Sequence, residues 1–192
     1  MIMNNKWNNL LEQINVKKQQ VCKIPENSEL LRLLIAGEDH RFKFHCGVDS
    51  IALLRASWKT LILNQREGGS TIAMQLVRVL TGKYDKTIHR KLEEMFLAYK
   101  LTKYISKQEI LSLYLSIAYF GWNMHGLKQA CKALKLNFNS LTVEESASLI
   151  ARLKYPEPKN VSKPRNIQIN NRTKYILKRY YTLKIKDQYD SI

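Results

Sequence analysis

SELLRLLIAGEDHRFKFHCGVD, residues 28–49, opens as a helix and ends as a site. Apolar residues at 30, 31, 34 and 35 recur at helical spacing, with Asn27 or Ser28 placed to cap the start. Glu38 then stands as the polar end of a buried helix, paired with Asp39. Phe42 and Phe44 lie between that acidic pair and His45, and Gly47 and Asp49 follow. A carboxylate beside apolar rings is partly desolvated, which makes it a better partner for proton transfer. The alternative is an exposed acid at a helix end.

Helical signals extend in both directions. Residues 1–24 form a polar, basic lead-in with a short helix expected over 6–20. Residues 49–63 are apolar on most faces, with Arg55 and Lys59 the charged exceptions. A glycine loop at 67–70 precedes a stripe of Ile72, Leu76, Val77 and Leu80, which Gly82 ends. The spacing predicts a long basic helix over 86–104, with Ile88, Leu92, Met95, Phe96 and Tyr99 on one face. Ser106 with Glu109 and Thr142 with Glu145 are capping boxes, for helices over 107–120 and to about residue 154. Pro156, Pro158 and Pro164 mark an extended loop before a last helix at 166–181 and a frayed end. No alternating strand pattern is evident, so the fold is read as mainly α.

The chain has 192 residues, enough for one domain with a sizeable core. Its 32 basic and 16 acidic residues give a charge of +16, which favours polyanions, nucleic acid or an anionic membrane face. Three cysteines (Cys22, Cys46, Cys131) show no metal-ligand spacing and suggest no disulfide framework; they read as small, half-buried side chains. No run approaches the roughly 18–20 apolar residues of a membrane span, and the first twenty residues lack the apolar centre of a signal peptide.

Two further stretches carry chemistry. GGSTIAMQ at 68–75 sets a glycine loop before a helix start, where free amides and the hydroxyls of Ser70 and Thr71 suit a phosphate or sugar. Alone it also reads as a plain helix cap. HRKLEEM at 89–95 puts Arg90 and Lys91 on one helix face with Glu94. That is an exposed salt bridge worth tenths of a kcal/mol, or a carboxylate flanked by cations suited to a phosphate leaving group.

The order of the pieces is more specific than any of them. GEDHRFKFHCGVD, GGSTIAMQLVR, RKLEE, SKQEILSLYLSIAYFG and LTVEESASLIARLKYP occur in sequence, with Arg172–Leu177 fitting a closing helix. This arrangement resembles the glycosyltransferase domain of peptidoglycan polymerases, shared by monofunctional transglycosylases and class A penicillin-binding proteins. The resemblance covers roughly residues 25–181, leaving 1–24 as lead-in and 182–192 as tail. It implies a lysozyme-like helical domain of two lobes with a cleft, polymerising lipid II into β-1,4 glycan with loss of the polyprenyl pyrophosphate. On that basis Glu38 is the base toward the attacking sugar hydroxyl, and Glu94 is the second carboxylate. Arg78, Arg90 and Lys91 would receive the pyrophosphate. Ser70, Thr71 and Gln75 would hold sugar or phosphate oxygens, and Asp39 and His45 would orient the Glu38 region. Trp58, Leu61 and Ile62 would face the membrane, although residues 49–63 read equally as a core helix.

The implied partners are lipid II, the nascent glycan chain, the membrane surface and other cell-wall synthases, with no nucleic acid. A divalent cation, Mg or Mn, is an optional cofactor at the pyrophosphate. The implied location is the outer face of the bacterial cytoplasmic membrane. Ser112, Ser116 and Val79 replace the polar residues usual in the family, and residues 122–125 are bulkier than its small-residue turn. These departures keep two rivals open: a lysozyme-like enzyme that cuts glycan, and a non-catalytic module that binds lipid II or a synthase.

Overall fold

The computed structural model describes residues 2–19, 21, 24, 25, 28–64, 68–160 and 162–189. Cys22, Asn27 and Glu67 lie outside them. The order is α1 (Ile2–Lys18), α2 (Glu29–Glu38), a 3-10 turn (Phe42–Phe44), α3 (Ser50–Ile62), α4 (Ile72–Thr81), α5 (Ile88–Tyr104) and α6 (Lys107–Ile117). A hairpin of β1 (Tyr119–Gly121) and β2 (Met124–His125) follows, then α7 (Leu127–Ala133), α8 (Val143–Lys154) and α9 (Lys163–Tyr189). The fold is mainly α, as expected. The chain divides into two compact units, Met1–Val21 with Arg41–Tyr114, and Cys22–His40 with Leu115–Ile192.

In the first unit α4 packs on α5, and α1 packs on α4. Leu10 and Ile14, four residues apart on α1, are buried. Thr71 caps α4 by accepting from the Met74 amide, and Gly82 ends it in the left-handed conformation. Helix α5 turns its apolar stripe outward, with Ile88 and Leu92 82% and 59% exposed. Glu93, Glu94, Leu97, Ala98 and Leu101 are buried instead. Helix α3 has no buried residue at all, which removes the core-helix reading of residues 49–63.

In the second unit α2 packs on α8 and α9, burying Leu30, Leu31, Leu33 and Leu34. Gly37 allows this approach: a Cβ there would lie 3.1 Å from Ile176 Cγ1 and 3.3 Å from Ile150 Cγ2. The capping box at Thr142 and Glu145 is formed in full. So is the one at Ser106, whose amide donates to Glu109 Oε2 at 2.8 Å while its hydroxyl accepts from the Glu109 amide. The Glu109 carboxyl is held down to about 2, first by a hydrogen bond from Lys18 and then by the Ser106 amide. Helix boundaries differ from expectation, among them the start of α1 at Ile2. Helix α6 stops at Ile117 because the chain turns into the hairpin. Strands this short, with Gly121 at one end, leave no alternating pattern to read. Helix α9 starts at Lys163 and runs to Tyr189, so Pro164 sits in its first turn, where a missing N–H costs nothing.

Gly47 closes the turn before α3 at φ 88°, and a Cβ there would stand 2.3 Å from the Ala98 carbonyl oxygen. Both the conformation and the space exclude a side chain. Gly47→Ala is expected to lower stability by at least about 2 kcal/mol, measured by denaturant unfolding.

Candidate active site

The first unit builds a cation cluster around Glu94. That side chain is 2% exposed and receives three donors. Arg78, from the last turns of α4, reaches it twice, with Nε to Oε2 at 3.0 Å and an Nη to Oε1 at 2.8 Å. Lys91 Nζ donates to Oε1 at 3.1 Å, and an Arg90 Nη donates to Oε2. The bland version of this face, an exposed salt bridge, is therefore excluded. Burial pushes the Glu94 carboxyl up, but the Arg78 hydrogen bonds and the charges of Lys91 and Arg78 outweigh it and hold the group below the ordinary range. Burial also pushes the Lys91 ammonium down, further than Glu94 draws it back up. Three cations against one carboxylate leave a surplus of two positive charges.

The glycine loop supplies Ser70 to this cluster. Its hydroxyl accepts from Lys91 Nζ at 2.8 Å and from an Arg78 Nη at 3.4 Å. Thr71 behaves differently: it is buried, and its hydroxyl donates to the Gly47 carbonyl at 2.6 Å while accepting from Met74. That geometry makes Thr71 a cap and a tie to the preceding turn, and offers no hydroxyl outward. Gln75 accepts through Oε1 from the buried Tyr114 hydroxyl at 2.6 Å. Val79 is half-buried on α4, and Ser112 is buried on α6.

Glu38 belongs to the second unit, at the end of α2. One Arg172 nitrogen of α9 donates to Glu38 Oε1 at 2.9 Å and to the Gly37 carbonyl at 2.6 Å. Both side chains are nearly buried, at 12% and 13% exposure. The aromatic setting expected from sequence is not what the structure shows. Phe44 is 77% exposed, while Phe42 is buried in the first unit with His45 edge-on at 6.0 Å. Asp39 is the buried C-cap residue of α2, its amide donating to Ile35. Arg172 is the site residue that sequence reasoning passed over; it entered only as the start of a closing-helix pattern. Its pairing spans 134 positions, beyond the reach of any local signal.

Among the described residues no group of three His, Cys, Asp or Glu side chains could hold a metal ion. Both oxygens of Glu94 are already occupied by cations, so the donor set does not build a divalent-metal cage.

Comparison with known proteins gives the chain its place. The family model described as transglycosylase matches residues 7–181. The chain belongs to the transglycosylase family, the glycosyltransferases of peptidoglycan. A Cupriavidus necator protein that carries the transglycosylase name is 37% identical over 165 residues, 85% of this chain and 70% of its own length. Penicillin-binding protein 1A of Vibrio cholerae is 34% identical over 154 residues, 79% of this chain. The same-named protein of Neisseria gonorrhoeae is 34% identical over 165 residues, 84% of this chain. This transglycosylase chain spans only about a fifth of the length of those two relatives.

Trp58, Leu61 and Ile62 on α3 are 63%, 81% and 62% exposed. No helix among the described residues is long and apolar enough to cross a membrane.

Glu94 makes the transglycosylase chain acid-sensitive. Its folded carboxyl titrates below the unfolded value, so its contribution is complete above the ordinary glutamate range and is lost as pH falls through the lowered folded value. Glu94→Gln is expected to cost about 2–4 kcal/mol near neutrality. It should also flatten the decline in stability as pH falls below the ordinary glutamate range, followed by urea unfolding at each pH.

Proposed function

We propose that the chain polymerises lipid II, joining disaccharide units through β-1,4 linkages and releasing polyprenyl pyrophosphate. The observation that supports this most is the surplus of two positive charges held on a buried carboxylate beside Ser70. A departing diphosphate needs donors fixed in advance where its charge develops. Arg78, Arg90 and Lys91 are fixed by Glu94 and need no rearrangement to serve.

In this reading Glu38 accepts the proton of the acceptor's 4-hydroxyl. The freed oxygen bonds to the anomeric carbon of the donor chain, and the bond from that carbon to the phosphate oxygen breaks. The electron pair leaves with the diphosphate, toward Arg78, Arg90 and Lys91, and the linkage inverts from α to β. Arg172 holds Glu38 in place, Glu94 organises the cations, and Gln75 and Ser70 hold oxygens of the substrate. Asp39 and His45 support their own turns.

We place the catalytic domain at residues 25–181, with the helical lead-in before it and the tail after it. The exposed apolar face of α3, with Arg55 and Lys59 beside Trp58, suits the interface of an anionic membrane. That face supports a peripheral location, which in this reading is the outer face of the cytoplasmic membrane, with nascent glycan and other cell-wall synthases as partners.

Lipid II and finished peptidoglycan, incubated separately with the protein, separate the readings. Polymer from the first is expected; soluble muropeptides from the second would mean a glycan-cleaving enzyme, and lipid II binding without polymer a non-catalytic module. Glu38→Gln should reduce polymerisation at least about 100-fold and leave pyrophosphate binding intact. The depressed Lys91 ammonium predicts that kcat/KM falls on the alkaline side below the ordinary lysine range, as the clamp loses a charge with rising pH. Lys91→Arg, which cannot lose its proton there, should move that limb upward.

A further inference from the structure

Glu93, the neighbour of Glu94 on α5, is a second buried acid with its own partners. Its side chain is 7% exposed. Lys6 Nζ of α1 donates to Oε2 at 2.7 Å, and Lys83 Nζ donates to Oε1 at 2.7 Å. Lys83 directly follows Gly82, the residue that ends α4. One carboxylate thus joins α1, the turn between α4 and α5, and α5 itself. Burial pushes the Glu93 carboxyl up, and the two lysine hydrogen bonds bring it below the ordinary range, so the strap is ionic.

The strap adjoins the cation cluster without sharing its acceptor. A cavity of about 10 Å3 is lined by Arg78, Thr81, Lys83, Arg90 and both carboxylates. It has room for about one water. Beyond the strap a groove of about 430 Å3 runs past Lys6, Asn9 and Gln13 of α1 and Thr81 of α4. The seat of α1 is therefore not packed shut at this end. Leu10 and Ile14 anchor the helix, and the ionic strap fixes where Lys6 meets α5.

The turn itself leads into the cluster. Arg90 Nε donates to the Asp85 carbonyl, while an Arg90 Nη donates to Glu94. Lys83 and Asp85 are two residues apart in the same short turn. Releasing Lys83 from Glu93 frees the segment that supplies one of Arg90's acceptors.

We propose that Glu93, with Lys6 and Lys83, is a positioning residue: it sets the seat of α1 and, through the 83–87 turn and Arg90, the geometry of the cation cluster around Glu94. Its bearing on rate rests on the diphosphate reading of that cluster, but the coupling can be observed without any substrate.

The test uses the full chain, labelled with nitrogen-15, as wild type, Lys6→Met, Lys6→Arg, Lys83→Met and Glu93→Gln. Two quantities are read: the Nε–H resonances of Arg78 and Arg90, and affinity for inorganic pyrophosphate. Lys6 bonds Glu93 rather than the cluster. Lys6→Met is nevertheless expected to shift the Arg90 resonance and to weaken pyrophosphate binding about threefold to tenfold. Lys6→Arg should restore both, and Glu93→Gln should exceed Lys6→Met in both. An Arg90 resonance unmoved in folded Lys6→Met and Lys83→Met proteins overturns the proposal, and these variants carry the test if Glu93→Gln fails to fold. If the resonance shifts but the wild type binds no pyrophosphate, the coupling stands and the diphosphate reading of the cluster falls.

Discussion

A carboxylate taken out of water must recover its lost hydration from the protein, and Glu94 recovers it from three cations at once. That requirement arranges the first unit. Arg78 must come from α4, Arg90 and Lys91 from the first turn of α5, and α4 and α5 must pack side by side for both to reach one acceptor. Glu93 repeats the device one residue earlier with Lys6 and Lys83, which draws α1 into the same assembly. Two of the acids of this basic chain, Glu93 and Glu94, thereby act as internal anchors for five cations.

The two units treat their acids differently. Glu94 is surrounded by enough positive charge to remain an anion and to hold cations in place. Glu38 meets the Arg172 guanidinium at the end of a helix and is less deeply buried. Two carboxylates in unequal surroundings are suited to unequal work. The division of labour proposed for them follows from that inequality.

Much of this was legible in the sequence where the signal is local. The capping boxes at Ser106 and Thr142, the turn at Gly82 and the grouping of Arg90, Lys91 and Glu94 each depend on residues within four positions. The apolar stripe of α5 was legible as one helix face, but which face is buried was not. Here paired acids occupy the interior, so Ile88 and Leu92 are left outside. Periodicity records which side chains are alike and says nothing about distant lysines able to neutralise an acid. Thr71 was legible as a cap, but its commitment to Gly47 was not, since that contact crosses 24 positions. The hairpin at Tyr119–His125 and the short helix α7 are smaller than the windows in which patterns can be counted.

The two units are interleaved along the chain: α2 belongs with α8 and α9, yet most of the first unit is made between them. During synthesis, Leu30, Leu31, Leu33 and Leu34 emerge long before the helices that cover them, and Glu38 emerges 134 residues before Arg172. A nascent chain that has reached residue 140 carries an oily, uncovered segment and an acid with no guanidinium to meet it. Truncation at any single bond cannot yield both units whole. The proton acceptor proposed here is thus among the last features of the molecule to be completed, although its own residue is among the first to be translated.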